Sequence, residues 1–250
     1  MKKYFGINFV FDHRRVDEII ERCIRENRTG YVCALDGNNF STAQRLSEHL
    51  EVINNSIVSN CDSTWLPIII NMMYGTNYAN YCASDLFFNF IKKCRYKQFF
   101  LGASREVLDG LKREMTKLDP AIANMRFEEL PYCDIDDFDY KGIAAMINEE
   151  APDIVWISLG APKQEQFMYR LKPYLKRGVM FGVGAIFNFY SGLDNVPKRA
   201  PKWMIKLGLE WLHRLIIEPA KQSKRVSLIL RELPKAIKKE YARKKLTQSK

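Results

Sequence analysis

Three short segments carry residue types suited to holding a phosphate. They are Asp36-Gly37-Asn38-Asn39, Gly160-Ala161-Pro162-Lys163-Gln164-Glu165 and Gly182-Val183-Gly184-Ala185, and each mixes small residues with polar ones. Each follows an apolar run of strand length and stands where a helix begins. At such a junction the first backbone N–H groups have no partner inside the helix, and they favour an anion placed beyond the strand end. The same glycines and asparagines would also serve simply as turns, so spacing alone leaves both readings open. Two nucleotide fingerprints are disfavoured. Phe187 occupies the position of the third glycine in a dinucleotide motif beginning at Gly182, with no acidic residue about 20 positions on, and no Walker A lysine motif is present.

The elements that must position these segments alternate along the chain. Tyr31–Leu35, Gln98–Leu101, Ile154–Leu159 and Val179–Val183 read as buried strands, rich in Val, Ile and Phe and bounded by Gly, Asp or Asn. Helical patterns lie between them at Arg15–Arg25, Phe40–Leu50, Asp85–Lys93, Arg105–Lys117, Asp137–Glu149 and Gln164–Leu175. Strands alternating with helices of this length predict an α/β fold, a Rossmann-like and mainly parallel sheet with flanking helices. In such sheets ligands bind beyond the carboxyl ends of the strands, which is where the three segments fall.

Charge divides the chain in two. Residues 198–250 hold 16 Lys and Arg against 4 Asp and Glu, a balance of +12, while residues 1–197 carry −2. The expected organisation is an α/β body, 1–197, and a basic helical C-terminal appendage, 198–250. Within the latter, Trp203–Ile217 reads as one apolar helix, with Trp203, Trp211 and Leu215 on the face that docks to the body, and Pro219 interrupts it. Beyond it Val226, Ile229, Leu230, Leu233, Ile237 and Tyr241 recur at helical spacing among nine lysines and arginines, and Pro234 is expected to kink or split that helix. An amphipathic basic helix suits an anionic surface: a membrane leaflet, a nucleic acid or a substrate's phosphates. Nucleic acid is disfavoured, because the tail offers only Tyr241 for stacking and the body is slightly acidic. No run of 18 apolar residues predicts a membrane span, and the start Met-Lys-Lys-Tyr-Phe-Gly has no apolar stretch of the signal-peptide kind. The six cysteines form no CxxC pair and only three histidines are present, so reduced thiols are expected and no structural zinc.

Three stretches, in order and across about 60 residues, resemble the WecG/TagA/CpsF glycosyltransferases. They are Ile157-Ser158-Leu159-Gly160-Ala161-Pro162-Lys163-Gln164-Glu165, then Gly182-Val183-Gly184-Ala185-Ile186-Phe187, then Arg199-Ala200-Pro201 followed by Gly208-Leu209-Glu210-Trp211-Leu212-His213-Arg214-Leu215-Ile216. Asp62 and Ser84-Asp85-Leu86 extend the likeness more loosely, to roughly residues 5–225. The resemblance implies an inverting, metal-independent bacterial enzyme without a cofactor. It would work as a peripheral protein on the inner, cytoplasmic face of the membrane, bind the anionic membrane surface, and self-associate. Its donor would be a UDP-sugar, carrying N-acetylmannosamine or a related sugar. Its acceptor would be an undecaprenyl-diphosphate-linked saccharide, on the way to teichoic acid, common antigen or capsule. Asp134-Ile135-Asp136 and Asp137-Phe138-Asp139 read as helix-start carboxylates rather than a metal motif.

Inverting transfer needs a base for the acceptor hydroxyl and positive charge near the departing diphosphate. Asp62 aligns with the family's proposed base, although the glycine that usually follows is here Ser63; a cap on the helix near Thr64 is its structural alternative. Asp36 is the second candidate base. By the same resemblance Asn38, Gly160, Pro162, Gln164, Glu165, Gly182 and Gly184 line the donor pocket, and Arg199, Arg214, Lys221, Lys224 and Arg225 supply the cations. Asn80 stands where the family often has arginine, and Lys221 and Lys224 stand where arginine is commoner. These departures leave an inactive family member serving as a scaffold in a polysaccharide assembly complex as the alternative. A nucleotide-sugar epimerase is disfavoured by the missing dinucleotide fingerprint and Tyr-x-x-x-Lys pair.

Overall fold

The computed structural model describes residues 2–206 and 208–248, so the two ends of the chain and Leu207 lie outside the described residues. Its frame is one eight-stranded sheet in the order β1-β2-β4-β3-β8-β7-β5-β6. The strands are β1 (Lys2–Tyr4), β2 (Ile7–Phe9), β3 (Thr29–Leu35), β4 (Val58–Cys61), β5 (Gln98–Gly102), β6 (Arg126–Glu128), β7 (Ile154–Ser158) and β8 (Gly178–Gly182). Only the β1–β2 hairpin is antiparallel; the other pairings are parallel. β3, β5, β7 and β8 are buried on both faces, which is why they read as unbroken apolar runs. One apolar cluster fills each face of the sheet, around Tyr31, Phe99 and Phe167 on one side and Trp156, Phe100 and Phe187 on the other.

The four strands and most of the helices read from the sequence are present, and the differences have local causes. The helix expected over 40–50 is two, α2 (Gly37–Arg45) and α3 (Ser47–Asn54), because Leu46 takes an extended backbone between them. α2 also starts three residues earlier, with Asp36 as its N-cap accepting from Asn39 N at 2.7 Å. The long apolar helix expected over 203–217 is likewise two, α10 (Lys202–Lys206) and α11 (Glu210–Ile217), with Gly208 between them at φ +69°. Asp139 caps the helix Tyr140–Glu150, and Asp136 pairs with Arg170. β4 escaped the reading because Val58-Ser59-Asn60-Cys61 is half polar; Asn60 is buried and donates to Tyr81 O at 2.7 Å.

The basic C-terminal segment is α12 (Pro219–Gln248), which begins just after α11 ends and runs unbroken through Pro234. It is docked along its length rather than standing off the body. Leu233, Ala236 and Ile237 join the apolar cluster on one face of the sheet. Ile229 closes on Gly37 and Trp65, Tyr74 donates to the buried Glu240 at 2.7 Å, and Arg243 donates to Lys3 O at 2.9 Å. Leu230 and Tyr241, read as part of the same stripe, are 70% and 52% exposed. The helix is therefore rotated so that its apolar side serves the core and Lys224, Lys235, Lys238 and Lys239 face outward, while Lys244 donates to Met73 O. A Cβ at Gly37 would lie 2.7 Å from Ile229 Cδ1 and 3.1 Å from Trp65. We therefore expect Gly37→Ala to lower stability by about 1–3 kcal/mol, the usual cost of overpacking. An unchanged thermal midpoint would show that α12 has slack to move.

Candidate active site

The parallel register brings the candidate residues together. Leu35 of β3 stands level with Cys61 of β4, so Asp36 and Asp62 leave the sheet side by side. Asp62 N and Ser63 N both donate to Leu35 O, at 3.0 and 3.2 Å, and extend the ladder past the strand ends. Ile157 of β7 stands level with Gly182 of β8, which sets the loops at 159–162 and 183–185 next to each other. Ser158 Oγ donates to Gly184 O at 2.7 Å, and Asn38 Nδ2 donates across to Ala161 O at 3.3 Å. These loops and the C-terminal helices enclose a cavity of about 900 Å³ over the carboxyl edge of the sheet.

Of the residues singled out in the sequence, Asp36, Asn38, Asp62, Gly160, Gln164, Gly182, Gly184, Arg199, Arg214, Lys221 and Arg225 line this cavity. Three do not. Lys224 is exposed on the outer side of α12, because Lys221, Arg225 and Ile229, four residues apart, form the inward row. Pro162 is the N-cap of α8 (Lys163–Leu171) and stays behind the wall. Glu165 is fully buried beneath Gln164.

Asp62 does not cap the helix that follows it. That helix, α4 (Leu66–Tyr74), has Leu66 N bonded to Ser63 Oγ at 3.3 Å. Asp62 Oδ1 instead accepts from Ala83 N at 2.8 Å, the first N–H of α5 (Ala83–Ile91). Burial raises its carboxyl to about 6, the neighbouring Asp36 and Glu210 push the same way, and the Ala83 N–H and Arg214 pull back. A carboxylate in that range is still mostly ionised at neutral pH and is a better proton acceptor than an ordinary aspartate.

Cations line the same cavity. Arg225 donates to Ala161 O at 3.5 Å, and Arg214 stands 5.1 Å from the Phe189 ring centre. Arg199 is held from inside: it donates to Tyr190 OH at 2.6 Å and faces Glu210 at 3.5 Å. Its charge is thus partly matched within the protein, as is that of Lys221 beside Glu218 at 3.4 Å; Arg214, Lys221 and Arg225 line the cavity with it. Sequence reasoning gave no role to Glu210, which faces Arg199 and lines the cavity but entered only as part of a family stretch. It also put Trp211 in the packed interface, whereas Trp211 lines the cavity and is 53% exposed, because the break at Gly208 swings α11 across the opening. Among the described residues, no group of three or more His, Cys, Asp or Glu side chains is arranged to hold a metal ion.

A family profile described as Glycosyl transferase WecG/TagA/CpsF family matches residues 3–250. The chain belongs to that family. Among similar curated proteins, N-acetylglucosaminyldiphosphoundecaprenol N-acetyl-beta-D-mannosaminyltransferase of Bacillus subtilis is 34% identical over 136 residues, 54% of this chain and 50% of the relative. The protein of the same name from Bacillus spizizenii is 33% identical over 147 residues, 58% and 54% of the two chains. That of Staphylococcus aureus strain NCTC 8325 is 30% identical over 122 residues, 49% and 45%. The chain thus spans about half the length of these relatives.

The family signature also explains a tight fit at Gly182. A Cβ there would lie 2.8 Å from the Gln164 amide. If the cavity holds a nucleotide, Gly182→Ala is expected to displace the Gln164 side chain and weaken UDP binding about tenfold. Titration calorimetry with UDP checks it, and unchanged affinity would mean that Gln164 is not part of the binding wall.

Proposed function

We propose that the protein is an inverting glycosyltransferase that moves an N-acetylmannosamine-type sugar from a UDP donor to an acceptor carried on a polyprenyl diphosphate, in cell-surface polysaccharide synthesis. The observation that supports it best is the polarity of the cavity. A partly buried carboxylate of raised basicity, Asp62, and the cations Arg214, Lys221 and Arg225 of α11 and α12 line the same cavity. In this reading Asp62 takes the acceptor hydroxyl proton, and the freed oxygen attacks the anomeric carbon from the face opposite the leaving group. The bond from that carbon to the diphosphate breaks, and UDP leaves with the electron pair. Arg214, Lys221 and Arg225 meet the charge that develops on the diphosphate, where lysine acts as a point charge and arginine as a fork. Asp36, whose Oδ1 caps α2, orients rather than deprotonates.

The test is UDP release from a panel of UDP-sugars with short N-acetylglucosaminyl-diphosphate-lipid acceptors. Turnover with UDP-N-acetylmannosamine that survives EDTA supports the reading. Tighter binding of a GDP-sugar, or turnover that stops in EDTA and returns with Mg²⁺ or Mn²⁺, contradicts it. UDP binding without turnover on any acceptor would favour a scaffold in an assembly complex.

Such an acceptor places the enzyme at a membrane surface, and among the described residues no helix is long and apolar enough to cross one. The face suited to the task combines the exposed Trp203, Ile216 and Ile217 of α10 and α11 with the outward lysines of α12. Each basic residue near an anionic leaflet contributes about 1 kcal/mol. Sedimentation with anionic vesicles is expected to carry the protein down, and neutral vesicles or high salt to leave it in solution. Ile216→Asp should weaken the binding; equal binding to neutral vesicles would contradict the electrostatic part.

A further inference from the structure

Behind the cavity wall lies a row of buried polar side chains that the proposed chemistry does not use. Gly160 N donates to Gln164 Oε1 at 3.1 Å, and Gln164 Nε2 donates to Glu165 Oε1 at 2.9 Å. Burial raises the Glu165 carboxyl to about 7, while the Gln164 amide and the Asn39 amide that faces the same carboxyl pull the other way. Asn39 Oδ1 in turn lies 3.1 Å from His49 Nε2, which must be the donor of that pair. Glu165 and Asn39 are completely buried and His49 almost so. The row joins α3, α2, α8 and the loop after β7.

An amide can be turned either way about its last bond, exchanging donor and acceptor. In Gln164 the choice has consequences. With Nε2 spent on Glu165, Oε1 is left facing Gly160 N, and the flat amide lies against Gly182 with no room for a side chain there. The Gly160 N–H calls for the oxygen on its side, and Glu165 Oε1 is the acceptor that holds Nε2 on the other. Burying a carboxyl is costly, and Glu165 Oε2 has no hydrogen-bond partner among the described residues. A residue kept there for packing alone would be leucine or methionine.

We propose that Glu165 is a positioning residue for the donor pocket: it sets the orientation of the Gln164 amide, and Gln164 thereby ties down the Gly160 loop and shapes the cavity floor against Gly182. The proposal rests on the reading of this cavity as the nucleotide-sugar site. It revises the expectation that Glu165 meets the donor itself.

The experiment compares the full chain with Glu165→Gln, Glu165→Leu and Glu165→Asp. Glutamine keeps an acceptor oxygen at the same reach, leucine removes it, and aspartate withdraws it by one methylene. Hydrogen exchange at the Gly160 amide reads the loop directly and needs no substrate. Protection is expected in the parent and in Glu165→Gln, and at least about a tenfold loss in Glu165→Leu and Glu165→Asp, the worth of one ordered hydrogen bond. UDP affinity should follow the same pattern, and in turnover KM for the donor should rise with kcat little changed. If Glu165→Leu fails to fold, Glu165→Asp carries the comparison alone. Equal Gly160 protection in all folded variants, or loss of protection in Glu165→Gln, overturns the proposal. If Gly160 protection follows the expected pattern while the parent binds no UDP, the positioning role stands and the donor-site reading falls.

Discussion

Replacing Asp62 with asparagine is expected to lower turnover by roughly 10²–10⁴-fold, the usual worth of a general base, with UDP affinity little changed. The separation follows from where the side chain sits. Asp62 is anchored to Ala83 N at the end of β4, whereas Lys221 and Arg225, assigned to the diphosphate, stand on α12. Asparagine keeps an acceptor for that N–H, so the fold should hold. In the parent enzyme kcat/KM should fall on the acid side with an apparent pKa near 6, as the base is protonated. Stability should move the other way. The folded pKa of Asp62 is raised above the ordinary 3.8, so its contribution is fully present below about that pH and is lost as pH rises through about 6. Asp62→Asn should therefore gain stability relative to the parent between pH 4 and 7. Near-normal turnover in this variant would shift the base to Asp36.

Ending the chain after Glu218 should have an even broader effect. The charge division in the sequence suggests a body that folds alone and dissolves better without its tail. The packing points elsewhere. Removal of α12 takes Ile229 away from Gly37 beside Trp65 and strips Leu233 and Ile237 from the apolar cluster. Partial burial of three such side chains amounts to roughly 3–6 kcal/mol, a large part of the 5–15 kcal/mol typical of a whole domain. The truncated protein is expected to melt far lower and to aggregate. Lys221 and Arg225 leave with it, and losing two charge-assisted contacts corresponds to about a 100-fold loss of UDP affinity. The folded double variant Lys221→Ala/Arg225→Ala isolates that second effect. A truncated chain with the parent's melting point would show that α12 does not share the core.

Much of this was legible in the residues, for reasons that differ by element. β3, β5, β7 and β8 are buried on both faces, so their apolar runs announce them, and the segments at their carboxyl ends follow. β4 carries polar residues whose partners come from distant turns, such as Asn60 with Tyr81, and no local pattern reveals it. Asp62 was therefore reached by family likeness rather than by its place on a strand end. α2 was read as a loop at Asp36–Asn39 because its buried residues are Asn, Ser and Thr, hidden beneath a helix from the far end of the sequence. The facing of α12 was misjudged for a related cause. Its heptad-like spacing offers more than one apolar side, and only contact with Gly37, Tyr74 and Lys3 selects between them. Glu165 illustrates a third limit: a signature motif marks residues that matter without distinguishing the one that touches a ligand from the one behind it.

The closeness of Ile229 to Gly37 has a consequence for the order of events during synthesis. The strands and the Asp36 and Asp62 loops are complete well before residues 221–229 are translated. A growing chain on the ribosome can thus assemble its sheet and its carboxylates while the cavity still lacks the side that α12 supplies. Competence arrives as a late step, when the last helix settles over the start of α2. Interrupted translation products then lack the binding wall, and the apolar patch they leave uncovered would mark them for chaperones and proteases.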